Sequence, residues 1–276
     1  MMLGANFLFA SLDTSVKWML GLGFASLQLA FLRYVGHFVI TMGQIVAGSG
    51  RPWRESRGQT GLLLLRAAML VASTAGNFFA LIYLPLTITS SIMFAAPILV
   101  CLLSVRLLNE PVGPWRWSAI ALGFVGVLIV IQPFGEDFSW AAPLVVLNAT
   151  SFALYSILTR KLAGRVSARV MQFYLGAFGT AVLAVPAWLT WQGTTSLLIL
   201  AAWAALGAMG WLGHELLTRA HGLAEANILM PFGYSLLIYM TFFDIAVFGD
   251  VPTPQEWLGI SIIVTAGLVI WKRGRT

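Results

Sequence analysis

Asp13 and Lys17 stand four residues apart inside an otherwise apolar run, and Arg33 and His37 repeat that spacing in the next run. A third pair, Glu215 and Arg219, comes late in the chain. On a helix, residues i and i+4 are neighbours, so each pair shares a face. Charges in such a setting hold one another and fix packing, or they hold the ends of a small charged solute. Asp13 and Lys17 could grip the two ends of a zwitterionic amino acid. Against that stands a plain ion pair, with Lys17 snorkelling towards the nearer surface. Arg33 could fork a solute carboxylate, but an ion pair with Asp13 is the expected arrangement. Arg66 lies close to the end of its run and reads as an anchor at the rim. Glu215 and Arg219 read as a rim pair, and the sharper alternative makes Glu215 or His214 a proton-coupling group.

Uncharged polar groups form a second set. Asn148, Ser151 and Tyr155 fall at i, i+3 and i+7, a stripe that lines water or bonds to another helix. Ser151 reads as packing, Asn148 and Tyr155 as lining. Thr74 and Asn77 lie on similar faces of their run. Ser90, Ser91, Phe94 and Pro97 sit in one run, and Asn227, Pro231, Gly233 and Tyr234 in another. Proline removes a backbone hydrogen bond and opens a kink, so Pro97 and Pro231, with Tyr83, are the expected gate or helix-break positions. The expected solute contacts are Asp13, Asn77, Ser91, Phe94, Asn148, Tyr155, His214, Glu215, Asn227 and Tyr234.

Enzyme chemistry finds no support. There is no P-loop, no H-E-x-x-H and no G-x-S-x-G. Gly207, Gly210 and Gly213 form a small-residue series inside an apolar run, which suits close helix approach and not a nucleotide loop. His37, His214 and His221 show no ligand spacing. Lone Cys101 excludes an internal disulfide and a cysteine metal cluster. No metal, cofactor or ATP-driven step is implied.

The elements that must carry these groups follow from composition. The chain has 276 residues, 59% hydrophobic and 9% charged, with a mean hydropathy of +0.87. Soluble domains carry about 25% charged residues, so the solvent for this surface is lipid. The +6 net charge is scattered between apolar runs, with no basic patch for nucleic acid. The start, MMLGANFLFA, lacks a basic region and an A-x-A exit, so the first span is expected to be retained. Ten spans are predicted, near 2–20, 27–47, 60–82, 87–107, 116–132, 140–159, 169–190, 196–220, 225–248 and 255–272, each close to the ~20 residues that cross a bilayer core.

Loop charge orients the spans. Arg51, Arg54, Arg57, Arg106, Arg116, Arg160, Lys161, Arg165, Arg169, Arg219, Lys272, Arg273 and Arg275 all fall on one side of the ten-span arrangement. The opposite loops hold Glu136, Asp137, Asp250 and Glu256 and no Lys or Arg. The positive-inside rule then places both termini in the cytoplasm. Tryptophans such as Trp53, Trp115, Trp140 and Trp257 lie near span ends, as an interfacial belt requires.

A shift of 140 positions aligns the halves. Tyr34-x-Gly36-x-Phe38 meets Tyr174-x-Gly176-x-Phe178, Ala68-Met69 meets Ala208-Met209, Trp117 meets Trp257, and Glu110 falls opposite Asp250. Five spans per unit is an odd number, so the two units must run through the membrane in opposite senses. Inverted units are the architecture of alternating-access carriers, with the site at their interface. A duplicated membrane-embedded scaffold or enzyme is the competing reading.

Phe31-Leu32-Arg33-Tyr34, Leu84-Pro85-Leu86, Phe94-x-x-Pro97, Asn109-Glu110-Pro111 and Gly123-Phe124-x-Gly126-Val127 resemble the EamA domain of the drug/metabolite transporter superfamily. Gly213-His214-Glu215-Leu216-Leu217-Thr218-Arg219-Ala220 and Pro231-Phe232-x-Tyr234 resemble a second EamA copy. The resemblance implies an all-α integral membrane fold, ten helices in two inverted five-helix repeats, 1–135 and 136–276, around a central cavity. It implies a secondary carrier of small metabolites in a bacterial inner membrane, for which a monomer suffices. Amino-acid export of the YddG type is the expected activity; uptake of riboflavin, S-adenosylmethionine or a similar cofactor is the alternative. Leu237 stands where the first copy has Pro97, so a helix break at that depth is expected in the first half only.

Overall fold

The structure, a computed structural model, describes residues 1–48, 52–108, 113–132, 139–224 and 229–273. Helices fill nearly all of this, and no strand occurs among the described residues. In chain order they are α1 (Met2–Gly21), α2 (Ser26–Ala47), α3 (Thr60–Ala80), α4 (Leu86–Met93), α5 (Ala95–Leu107), α6 (Pro114–Ile131), α7 (Ala141–Leu162), α8 (Ala168–Leu189), α9 (Leu197–Leu223), α10 (Tyr234–Phe243) and α11 (Pro254–Arg273). A single turn, Pro52–Glu55, precedes α3. Helix lies under each of the ten predicted spans. Among the described residues six segments are long and apolar enough to cross a membrane, and Ala121–Val130 and Ser235–Phe248 are shorter apolar stretches.

Helix ends follow local chemistry. Pro114 and Pro254 open α6 and α11, where the missing N–H has no intrahelical partner to lose. The Ser167 hydroxyl accepts from the Val170 N–H and caps α8. Gly249, at φ 71°, ends the π-helical turn Asp244–Phe248 in the left-handed conformation that glycine adopts without strain.

The fourth span is interrupted at Phe94, which separates α4 from α5. Pro97 explains the interruption, because it has no N–H for the Met93 carbonyl four residues earlier. The expectation of a break in the first half alone does not hold. α10 is unbroken through Leu237, whose N–H keeps the ladder intact. The chain just before it, Met230–Gly233, is a 3-10 turn containing Pro231, and the π turn at Asp244–Phe248 follows it. Both ninth-span irregularities arise from residues other than the one aligned with Pro97.

Packing joins the two halves of the sequence. α6 packs on α11, α2 on α8, α3 on α7 and α1 on α9; α2 also packs on α9, and α3 on α8. Under the 140-residue shift the first two pairings map onto themselves. The third maps onto the fourth, and the fifth onto the sixth. The tightest approach is between α2 and α9. A Cβ on Gly36 would fall 2.7 Å from the Gly207 Cα, and one on Gly207 would fall 2.5 Å from the Gly36 Cα. Small residues let helix backbones meet closely in lipid, and here each glycine needs the other. The main buried cluster, with Leu12, Leu29, Phe78, Tyr155 and Leu206, draws on both halves.

Candidate binding cavity

A central cavity lies among α1, α2, α3, α4, α5, α7, α9 and α10, and holds about 1130 Å³ of atom-free space, its open mouth included. Its wall reaches from Leu81 and Leu86 at one end to Met2 and His221 at the other. Phe9, Phe78, Phe94 and Phe152 supply aromatic surface, and Asp13, Arg33, Asn77 and His214 supply polar groups.

Arg33, from α2, is the organising cation. It is 5% exposed. Nη1 donates to the Thr74 hydroxyl and, at 3.5 Å, to the Tyr34 hydroxyl. Nη2 lies 2.7 Å from Nε2 of His214. Arginine has donors only, so His214 Nε2 accepts and its proton sits on Nδ1. Nδ1 then donates to the Tyr155 hydroxyl at 3.0 Å. Tyr155 also accepts from Arg66 Nη2 at 2.9 Å. A continuous chain thus runs Arg33–His214–Tyr155–Arg66, from the cavity wall into the packed interior between α3, α7 and α9. Arg33 Nε has no partner.

Asp13 faces the same cavity, half-buried. One oxygen, Oδ2, accepts from Asn77 Nδ2 at 3.0 Å; Oδ1 makes no bond among the described residues. The expected Asp13–Lys17 and Asp13–Arg33 ion pairs are both absent. Lys17 instead bonds Asp244 at 3.0 Å and Asp250 at 2.8 Å, because its stem turns away from α1 towards the π turn of the ninth span. Asp244 is 0% exposed. Its carboxylate accepts from the Leu86 N–H at 3.2 Å and the Thr87 N–H at 2.6 Å, at the start of α4. These N–H groups have no helical partner, and a helix N-terminus attracts negative charge.

Arg66 is not a rim anchor. It is fully buried and donates to Thr159 Oγ1, the Met171 carbonyl, Tyr155 and Thr218. Four acceptors converging from α7, α8 and α9 hold the guanidinium where snorkelling would leave them all unpaired. Glu215 bonds Arg219 at 2.7 Å, with the Arg219 side chain mostly exposed; it is not among the cavity-lining residues.

Of the expected contacts, Asp13, Asn77, Phe94 and His214 line the cavity, and Tyr155 stands directly behind His214. Ser91 is turned into its own helix, donating to the Thr87 carbonyl at 2.7 Å, while neighbouring Ser90 lines the wall. Asn148 is wedged against Gly76 at the α3–α7 contact, where a Cβ on that glycine would lie 2.1 Å from Asn148 Oδ1. Tyr83 is half exposed and meets Trp140 edge to face, with ring centres 4.8 Å apart, away from the cavity. Asn227 lies outside the described residues, as do the side chains of Tyr234, Pro97 and Pro231. The sequence reading missed Asn6, which donates to the Phe232 carbonyl at 2.7 Å and the Ser235 hydroxyl at 2.9 Å and so ties α1 to the ninth span. A lone asparagine in an apolar run was the available signal.

Residues 1–132 match the model of the EamA-like transporter family. Over 251 residues the chain is 30% identical to the S-adenosylmethionine uptake transporter of Rickettsia bellii, covering 91% of this chain and 85% of that one. The chain belongs to the EamA-like transporter family. A second EamA-like relative, the riboflavin transporter of Vibrio cholerae, is 30% identical over 268 residues, covering 95% of this chain and 89% of its own. A solved crystal structure, 16% identical, superposes with a TM-score of 0.72 over 99% of this chain and 97% of that one, and so shares its fold. These EamA-like proteins are transporters, not enzymes, and this chain is a multi-pass membrane protein. The two relatives are named for S-adenosylmethionine and for riboflavin, and neither name is that of an amino-acid exporter.

Proposed function

We propose that this EamA-like protein is an uptake carrier for a cofactor-sized metabolite, of the kind that its relatives from Rickettsia bellii and Vibrio cholerae are named for. The observation that carries the reading is one central cavity walled by helices of both sequence halves and lined by aromatic and charged groups. The carrier works by alternating access between two inverted five-helix units, 1–135 and 136–276. Pairings that map onto one another under the 140-residue shift support that division, and carriers built this way place the site between their repeats. Both termini face the cytoplasm of a bacterial inner membrane, as the loop arginines favour. The Lys17 end of the bundle is then the outer end. Beyond Asp13, Leu81 and Leu86 the Lys17–Asp244 bridge closes the cavity towards that side.

Purified protein in liposomes is expected to accumulate S-adenosylmethionine or riboflavin down an imposed gradient. Folded protein that carries neither overturns the reading. Labelling that puts the two termini on different sides overturns the inverted arrangement.

A further inference from the structure

Four buried polar atoms on the cavity-lining residues have no partner among the described residues: Nε of Arg33, Oδ1 of Asn77, Oγ of Ser156 and Nε2 of His221. Buried polar groups are nearly always satisfied, so each calls for an occupant. The Ser156 hydroxyl can donate or accept, and the roles of the other three are fixed. Arg33 Nε can only donate. Asn77 gives its amide N–H to Asp13, so its Oδ1 is the acceptor. His221 Nδ1 lies 2.9 Å from the Leu217 carbonyl, which can only accept, so His221 Nε2 is an acceptor too.

Asp13 Oδ1 adds a further acceptor and a negative charge. The Asn77–Asp13 bond places two acceptors on adjoining side chains, a cradle for an ammonium group. Arg33, held through both Nη atoms by Thr74, Tyr34 and His214, is a donor for an anion. Among the described residues neither charge has an ion-pair partner. A neutral solute would strip water from both and return no charge, which is costly in a low-dielectric site.

We propose that the cavity takes an amino-acid head group on a larger body that bears an aromatic ring, with the carboxylate at Arg33 and the ammonium between Asp13 and Asn77. The body lies against Phe9, Phe78, Phe94 and Phe152. S-adenosylmethionine carries such a head group and riboflavin does not. This inference rests on the carrier reading and chooses between the two solutes named for its relatives.

Uptake by the unaltered full-length protein in liposomes tests it, with S-adenosylmethionine, its decarboxylated analogue and riboflavin as solutes. The analogue keeps the ammonium and loses only the carboxylate. It is expected to enter roughly 10–100-fold less efficiently, the effect of one charge-assisted hydrogen bond. Arg33→Gln is expected to bring S-adenosylmethionine down to the level of its decarboxylated analogue, so that the two solutes no longer differ. Uptake of riboflavin without S-adenosylmethionine overturns this inference and leaves the carrier reading intact. Equal uptake of S-adenosylmethionine and its analogue overturns it too, and that comparison needs no variant to fold. Uptake of neither solute removes both readings.

Discussion

Lys17 and Asp244 stand 227 positions apart in the chain and 3.0 Å apart in the structure. Asp244 is the buried partner, 1% exposed at its side chain, while Asp250 is 47% exposed and its bond is screened by solvent. Lys17 also lies 4.4 Å from the centre of the Phe248 ring. Because the same carboxylate caps α4, one contact ties α1, α4 and the ninth span together just beyond the cavity.

Loosening that tie is expected to open the outer end. In a chain with Cys101→Ser and a reporter at Ser90→Cys, which lines the cavity, Lys17→Met should raise labelling by a membrane-impermeant thiol reagent from the outer side. A bridge worth about 1 kcal/mol corresponds to roughly a fivefold change in population. Exchanging the charges, Lys17→Asp with Asp244→Lys, should not restore closure fully, because the lysine cannot accept from the Leu86 and Thr87 N–H groups. Labelling that Lys17→Met leaves unchanged would rule out a gating role.

Arg66→Lys is expected to destabilise the fold despite keeping the charge. A single ammonium cannot reach Thr159, Met171, Tyr155 and Thr218 together in the geometry of a guanidinium. The acceptors left over cost about 1–3 kcal/mol, seen as a lower thermal midpoint in detergent. A midpoint equal to the parent's would mean that water replaces the lost donors.

Two glycines of α2 should part company. Gly36→Ala forces a Cβ onto the Gly207 backbone, and such overpacking costs about 1–3 kcal/mol. Gly43→Ala meets nothing within 4 Å and is expected to be neutral or stabilising, by up to about 1 kcal/mol of helix propensity. The thermal midpoints of the two variants, measured side by side, check the contrast.

Tyr83→Ala is expected to leave solute uptake unchanged, since the ring meets Trp140 edge to face outside the cavity. Asn77→Ala, which removes the bond to Asp13, should raise the KM. A reversal of these two outcomes in a liposome uptake assay would return Tyr83 to the site.

Much of the cavity was legible in the sequence. Asp13, Asn77, Phe94 and His214 stood out because polar or break-adjacent residues are costly inside apolar runs and must face something. Tyr155 stood out for the same reason, though its hydroxyl serves the wall from behind. Ser91 and Asn148 carried an identical signal and proved to be packing groups. A helix face two positions away, or a glycine on a neighbouring helix, turns the same residue type towards protein instead of the cavity.

The sequence by itself determined the solvent, the helices and their lengths, because each depends on a local property: some twenty apolar residues in a row, a proline, a run of loop arginines. Tertiary structure decided which charge meets which. The i, i+4 spacing put Asp13 and Lys17 on one face, yet Lys17 reaches Asp244 and Asp13 takes Asn77. A long side chain on a membrane helix is free to choose among all groups within its reach, and those are brought there by packing between helices far apart in the chain.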